Sequence, residues 1–244
     1  MNQIIIAHRG ASSLVPKENT LEAFEKAICL QVPYVEFDVR RTKDKKLVVF
    51  HDKKINNIPL RSLTYYELNE IAKKDGYEVP TFLEVLKLCQ GKIKLDIELK
   101  ETGYEQEVVS YVTSLYDYKD YMIKSFLDEV PYRIKQIDPN ITCGLLIGKE
   151  KATLKRRLLE YFPKRRLKKC LADFISPNYR FLTIDFCLRM KLIHMPIYAW
   201  TINGSTALKK VMKKPIAGII TDTPDVALAL ALSNEKGYKK ECRG

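Results

Sequence analysis

No apolar run in this 244-residue chain reaches membrane-spanning length. The longest, residues 226–232 near the C-terminus, falls far short of the roughly 20 residues a spanning helix needs. No basic segment followed by a long apolar one opens the sequence, so a secretory leader is not expected. The six cysteines (Cys29, Cys89, Cys143, Cys170, Cys187 and Cys242) show no Cys-x-x-Cys spacing. That spacing argues against a zinc ribbon or a disulfide framework, and reduced core thiols in a cytoplasmic protein are the expectation. No Gly-x-Gly-x-x-Gly follows the first strand-like run, which removes the usual dinucleotide fingerprint. No repeat, low-complexity segment or linker interrupts the chain, so one domain over 1–244 is expected. Histidine is scarce too, with three in all: His8, His51 and His194.

What is present reads as a globular protein, with 46% hydrophobic and 30% charged residues. The formal net charge of +12 favours encounters with phosphate esters, anionic membrane surfaces or nucleic acid, without choosing among them. A solvated lysine-rich surface is the simpler account of it.

Short β-like runs alternate with helical periodicities. Strands are expected over residues 3–8, 34–39, 47–50, 92–98, 121–124, 142–146, 172–176, 197–200 and 217–220. Helices are expected over 20–30, 62–74, 81–90, 105–115 and 205–212, with Thr81 and Glu84 spaced as a capping box and Pro224 opening a last helix. Residues 42–46 look like a hairpin turn between 34–39 and 47–50, and residues 53–76 form a mixed segment. Setting aside 47–50 as a hairpin arm leaves eight strand–helix units. That count predicts an α/β fold of the (β/α)8 TIM-barrel type, with a doubly wound sheet as the alternative.

The chemistry-bearing residues stand where these strands finish. His8-Arg9-Gly10 follows Ile4-Ile5-Ile6-Ala7, and Glu36-Phe37-Asp38 ends the second run. His51-Asp52 follows Leu47-Val48-Val49-Phe50, and Glu98-Leu99-Lys100 ends the run that includes Ile97. In parallel α/β proteins, strand C-terminal ends are where active sites gather. Glu36 and Asp38 lie two apart on a strand and so share a face, where they repel unless a cation sits between them. With Glu98 they offer a hard, all-oxygen donor set suited to Mg²⁺ or Ca²⁺. Two imidazoles titrating near neutrality are a natural acid–base pair, and Arg9 and Lys100 bring positive charge for phosphate oxygens. His194, in a loop before Pro196, is read as non-catalytic. The combination points to metal-assisted hydrolysis of a phosphate ester.

As a set, these motifs resemble the glycerophosphodiester phosphodiesterase family. The matching stretches run in order along the chain: His8-Arg9-Gly10, Glu18-Asn19-Thr20 with Ala23-Phe24, Glu36-x-Asp38-Val39, Thr42-Lys43-Asp44, Val48-Val49-x-His51-Asp52, Pro80-Thr81-x-x-Glu84-Val85-Leu86, Ile97-Glu98-x-Lys100, Ser125-Phe126, Trp200-Thr201-x-Asn203 and Gly218-Ile219-Ile220-Thr221-Asp222-x-Pro224. The resemblance implies a barrel enzyme of the phospholipase-C-like phosphodiesterase type that cleaves small-molecule glycerophosphodiesters to glycerol 3-phosphate and an alcohol. It implies a divalent cation, Mg²⁺ or Ca²⁺, on Glu36, Asp38 and Glu98. It also implies His8 and His51 as base and acid, Arg9 and Lys100 near the phosphate, and Trp200 as an apolar wall. Nucleic acid is not an expected partner. The alternatives are a lysophospholipase-D-type or phosphoinositide-type activity on a lipid, or a non-catalytic anion-binding barrel.

Departures from the family pattern fall outside that set. Lys17 separates Pro16 from Glu18, Lys45 stands where the turn usually has glycine, and His194-Met195 replaces a usual glycine before a late strand. A further feature is the stretch 149–169, with ten Lys and Arg against two Glu and with Leu154, Leu158, Tyr161 and Phe162 at helical spacing before Pro163. It reads as a barrel helix that buries its apolar stripe under a basic outer face, or as a contact for anionic membrane.

Overall fold

The computed structural model describes residues 3–148 and 153–241, without the side chains of 154–156 and 234–241. Cys242 and residues 149–152 of the basic stretch lie outside the described residues. The strands, in chain order, are β1 (Ile4–Ala7), β2 (Tyr34–Arg41), β3 (Leu47–Val49), β4 (Lys54–Ile55), β5 (Ile58–Pro59), β6 (Lys94–Leu99), β7 (Tyr121–Ser125), β8 (Cys143–Ile147), β9 (Phe174–Pro177), β10 (Tyr198–Ala199) and β11 (Gly218–Thr221). The helices are α1 (Leu21–Cys29), α2 (Tyr65–Lys74), α3 (Phe82–Cys89), α4 (Glu105–Leu115), α5 (Glu129–Ile137), α6 (Leu154–Tyr161), α7 (Lys164–Cys170), α8 (Ile184–Leu192), α9 (Ser205–Val211) and α10 (Pro224–Glu241).

Eight parallel strands pair in the order β10-β11-β1-β2-β6-β7-β8-β9. Parallel bridges from Ile175 to Ile197 and from Asn178 to Trp200 bring the two ends of that row together. There the Ile175 N–H donates to the Pro196 carbonyl at 2.9 Å and the Trp200 N–H to the Pro177 carbonyl at 3.0 Å. The fold is the (β/α)8 barrel. β3 is the expected hairpin arm, antiparallel to β2 with Val39 opposite Val49. Because it folds back off the ring, β6 becomes the neighbour of β2 and sets Asp38 opposite Glu98.

The period of two along each strand divides the barrel into an outside and an inside. Outward residues such as Ile5, Val35, Phe37, Leu95 and Ile97 pack under the helices in the main core. The inward residues Ile6, Met122, Phe174 and Ile220 make a dry plug with Ile4, Tyr34, Tyr198 and Trp200 against it. Inward residues further along are charged, so the plug forms the floor of a polar mouth. Gly144 makes room for this floor: a Cβ there would sit 2.1 Å from the Phe174 ring, itself fully buried. Gly144→Ala is therefore expected to cost about 1–3 kcal/mol through overpacking, read as a lowered urea midpoint, and an unchanged midpoint would refute this packing account.

Thr81 and Glu84 form the capping box, and Thr64 with Glu67 forms a second. Residues 53–76 resolve into the small β4–β5 sheet and α2, which close their own apolar cluster of Val48, Phe50, Ile55, Leu60 and Leu68. Lys45 and His194, the two departures at family glycines, both take left-handed backbone, with φ of 64° and 52°. The turns thus keep their shape, at about 1–2 kcal/mol each for lacking glycine. Three helices lie outside the expected set. α5 has Pro131 in its first turn, α7 buries Arg166 amid its basic run, and α8 exposes Ile184, Leu188 and Leu192. No described helix is long and apolar enough to cross a membrane.

Candidate active site

β1 delivers His8, and the turn after it bends sharply. Arg9 and Gly10 both have positive φ, and a Cβ on Gly10 would lie 2.5 Å from that of Ala23 on α1. This bend aims the Arg9 N–H at Glu36 Oε2, 3.1 Å away. The Arg9 guanidinium lies 3.2 Å from Asp38 Oδ2 and donates to Glu18 at 2.7 Å. Burial pulls the guanidinium pKa down, and Asp38, Glu18 and Glu36 more than reverse that, leaving it raised. Asn19, also left-handed, donates its side-chain N–H to Asp38 Oδ2 at 2.9 Å.

β2 and β6 hold four buried carboxylates in two registered pairs, Glu36 with Asp96 and Asp38 with Glu98. Ligand oxygens of Glu36, Asp38 and Glu98 lie within 4.8 Å of one another. Lys100 Nζ bridges two of them, at 2.8 Å from Asp38 Oδ1 and 2.7 Å from Glu98 Oε1. One layer deeper, the fully buried Lys124 pairs with Asp96 at 2.6 Å and reaches Glu36 at 3.5 Å. Burial raises the Asp38 pKa, but Lys100, Arg9 and His51 outweigh it and hold the group well below the usual carboxylate range. Glu98 goes the other way: burial, joined by Asp38 and Glu36, pushes it up to about 7 against the pull of Lys100. Asp96 is raised to about 6, chiefly by burial. At this level four buried carboxylates face three cationic side chains, Arg9, Lys100 and Lys124.

The imidazoles flank these carboxylates. His8 Nδ1 is 2.6 Å from Asp222 Oδ1. The Asp222 pKa is lowered despite burial, by His8 and by hydrogen bonds from Asn203 and Ser12. An ionised carboxylate only accepts, so Nδ1 carries a proton, and in its neutral form the ring keeps the lone pair on Nε2, 3.9 Å from Glu36 Oε2. His51 Nδ1 pairs with Asp52 at 2.9 Å, and the His51 carbonyl takes two bonds from the Arg40 guanidinium. Burial and the charges of Lys100 and Arg9 lower the His51 pKa. Trp200 donates from its indole N–H to the Ser176 carbonyl at 2.9 Å, and its ring meets Phe126 edge-on at 5.6 Å. His194 precedes β10 and so sits at the opposite end of the strands.

The fold thus gathers His8, Arg9, Glu36, Asp38, His51, Glu98 and Lys100 at one end of the barrel, with Trp200 at the same strand ends. Sequence reasoning assigned no role to Asp222, Asn203, Glu18, Asn19, Asp96 or Lys124. Asp222 follows β11 immediately, so the strand-end rule that singled out His8 applies to it equally.

The sequence model of the glycerophosphoryl diester phosphodiesterase family matches residues 8–226. The chain belongs to that family. Among its relatives is the glycerophosphodiester phosphodiesterase of Caldanaerobacter subterraneus subsp. tengcongensis, 28% identical over 249 residues that cover 94% of this chain and 98% of the relative. The solved glycerophosphodiester phosphodiesterase of Thermotoga maritima is 27% identical and superimposes with a TM-score of 0.75, over 95% of this chain and 99% of its own. A phosphodiesterase of Oleispira antarctica, solved in complex with the product sn-glycerol-3-phosphate, shares the fold with a TM-score of 0.79 at 21% identity, over 94% of this chain and 96% of its own. This phosphodiesterase is accordingly a phosphoric diester hydrolase of the glycerophosphodiester class.

Proposed function

We propose that the enzyme cleaves glycerophosphodiesters to glycerol 3-phosphate and an alcohol in a divalent-cation-dependent reaction, with His8 and His51 as the acid–base pair. The observation that carries the reading is the convergence of three buried carboxylates and two carboxylate-paired imidazoles on one barrel mouth. The product named for the Oleispira relative supports the product class. Glu36, Asp38 and Glu98 fit Mg²⁺ or Ca²⁺ by donor type, and their ligand oxygens converge within 4.8 Å of one another. When bound, such a cation supplies positive charge to the phosphate that Arg9 and Lys100 do not supply alone.

The chain's own residues then divide the work. His8 Nε2, with Nδ1–H held by Asp222, takes a proton from the water whose oxygen joins phosphorus as the alcohol leaves. His51, whose lowered pKa makes its protonated form a stronger acid, gives a proton to the leaving alcohol. Arg9 and Lys100 face the charge that builds on the phosphate oxygens. Trp200 and Phe126 offer an apolar wall to the alcohol side of the substrate.

The test is release of glycerol 3-phosphate from glycerophosphocholine and glycerophosphoethanolamine with Mg²⁺, Ca²⁺ or EDTA, beside Glu36→Ala. Product that depends on the cation and disappears in Glu36→Ala is the expected result. Full turnover in EDTA would sink the cation assignment. No product from either diester under any cation, with turnover of a lysophospholipid, would replace the soluble substrate by a lipid one.

A further inference from the structure

A barrel helix is expected to bury its apolar side, and the α6–α8 face does not. Leu158 and Phe162, two members of the stripe on the basic segment, are 57% and 61% exposed, and Leu159 is exposed beside them. On α8, Ile184, Leu188 and Leu192 recur every four residues along one face, with Ile184 77% exposed. The two segments are tied together. Tyr161 Oη lies 3.1 Å from Thr183 Oγ1, and the Arg189 guanidinium donates to the Tyr161 carbonyl at 2.6 Å while stacking on Phe162. Large aliphatic side chains are thus held in water on neighbouring helices.

The position of this face matters. Gly148 and Asn178, which directly follow β8 and β9, line a cleft of about 370 Å³ together with Arg157, Tyr161, Arg180 and Phe181. That cleft lies at the strand ends that carry His8 and His51. Tyr179, next to Asn178, donates its N–H to the Trp200 carbonyl at 2.7 Å. The face therefore adjoins the rim of the catalytic mouth on its Trp200 side.

Charge indicates the occupant. Residues 153–192 carry eleven Lys and Arg against three Asp and Glu. Lys164, Arg165, Lys168, Lys169 and Arg180 are exposed. Glu160 is buried, and Asp185 is engaged by Arg189 at 2.9 Å. A second copy of the chain would bring the same cationic patch against itself in a two-fold contact, which is repulsive. Nucleic acid matches the charge but gains little from exposed leucine and isoleucine, because its single strands are gripped by aromatic stacking. Exposed aliphatic side chains on a segment rich in Lys and Arg match an anionic bilayer, whose acyl boundary takes the former and whose headgroups attract the latter.

We propose that the α6–α8 face docks this phosphodiesterase on anionic membrane surfaces, with Leu158, Phe162, Ile184 and Leu188 inserted at the interface and the barrel mouth held beside the lipid. The proposal is independent of the acid–base roles given to His8 and His51.

The experiment is co-sedimentation of the full chain with vesicles of phosphatidylcholine alone or with phosphatidylglycerol, at low and high salt, beside Phe162→Ser/Ile184→Ser and Lys164→Glu/Arg165→Glu. Expected are binding that requires phosphatidylglycerol and weakens with salt, and at least about tenfold weaker partitioning in either double variant. Turnover of soluble glycerophosphocholine is expected to stay at the wild-type value in both, which shows that they fold. Absence of binding to phosphatidylglycerol vesicles at low salt would overturn the proposal. So would binding untouched by Phe162→Ser/Ile184→Ser, which would mean adsorption by charge alone. A concentration-dependent dimer abolished by the same pair would assign the face to a second copy instead. Retention on a single-stranded oligonucleotide with no vesicle binding would assign it to nucleic acid.

Discussion

His8→Ala is expected to lower kcat by about 10²–10⁴-fold, and His51→Ala by a similar factor, with the fold intact. His8 carries the firmer geometric case. Its Nδ1 is fixed at 2.6 Å from Asp222, and Asp222 is fixed in turn by Asn203 and Ser12. The imidazole therefore presents a lone pair on Nε2 without needing to find its tautomer during turnover. Asp222→Asn should cost less than His8→Ala but more than a surface change, because an amide can present its N–H to Nδ1 and stabilise the wrong tautomer. His51 is less constrained, with a single solvent-facing partner in Asp52. The two roles separate on a substrate with a better leaving group. An activated aryl diester needs no proton on its leaving oxygen, so it should rescue His51→Ala and leave His8→Ala impaired. If either alanine variant retains near-wild-type kcat on glycerophosphocholine, its residue is not part of the acid–base pair. If the activated diester rescues His8→Ala instead, the two roles are exchanged.

Lys124→Met is expected to destabilise the fold by about 3–5 kcal/mol, the usual cost of removing one partner from a buried ion pair. Lys124 is fully buried, and it is the cation nearest both Asp96, at 2.6 Å, and Glu36, at 3.5 Å. Methionine fills the space but leaves those carboxylates facing each other across a registered strand pair. The deficit should depend on pH in a definite sense. Asp96 already titrates at about 6 in the fold, above its ordinary value of 3.8. A carboxyl raised in this way binds its proton more tightly folded than unfolded, so stability falls as pH rises from about 4 through 6. Removing Lys124 raises Asp96 further and extends that fall upward. Urea denaturation at pH 5 and pH 8 should therefore show a larger loss at pH 8. Adding Asp96→Asn should recover part of it, since the amide carries no charge to strand. A Lys124→Met variant within 1 kcal/mol of wild type at pH 8 would mean that the buried ammonium is not the counter-charge of this layer.

The barrel was legible because its signals are local. Each strand is a short apolar run with turn chemistry at its end, and the run that folds back as β3 announces itself through the turn at residues 42–46. Glu36, Asp38, Glu98 and Lys100 could be placed together because a period of two puts alternate side chains inside and parallel strands finish at one end, whereas His51 reaches them because the antiparallel arm β3 folds back beside Asp38. Irregular segments were less legible. The β4–β5 sheet has strands of two residues, too short to show an alternation. α8 hides its helical character by being apolar on both its buried and its exposed faces.

What the sequence alone determined was the set of residue types that finish each strand, and with it the fold and the class of chemistry. Partnership was decided by the tertiary structure. His8 and Asp222 are 214 residues apart and meet only because β1 pairs with β11. Asp96 meets Lys124 because β6 pairs with β7. The apolar stripe of α6 had two readings in one dimension, and the exposure of Leu158 and Phe162 appears only in three. The physical reason is the same in each case. Spacing along a chain reports which face a side chain takes, whereas burial, pairing and charge balance depend on what the other strands and helices bring to that face.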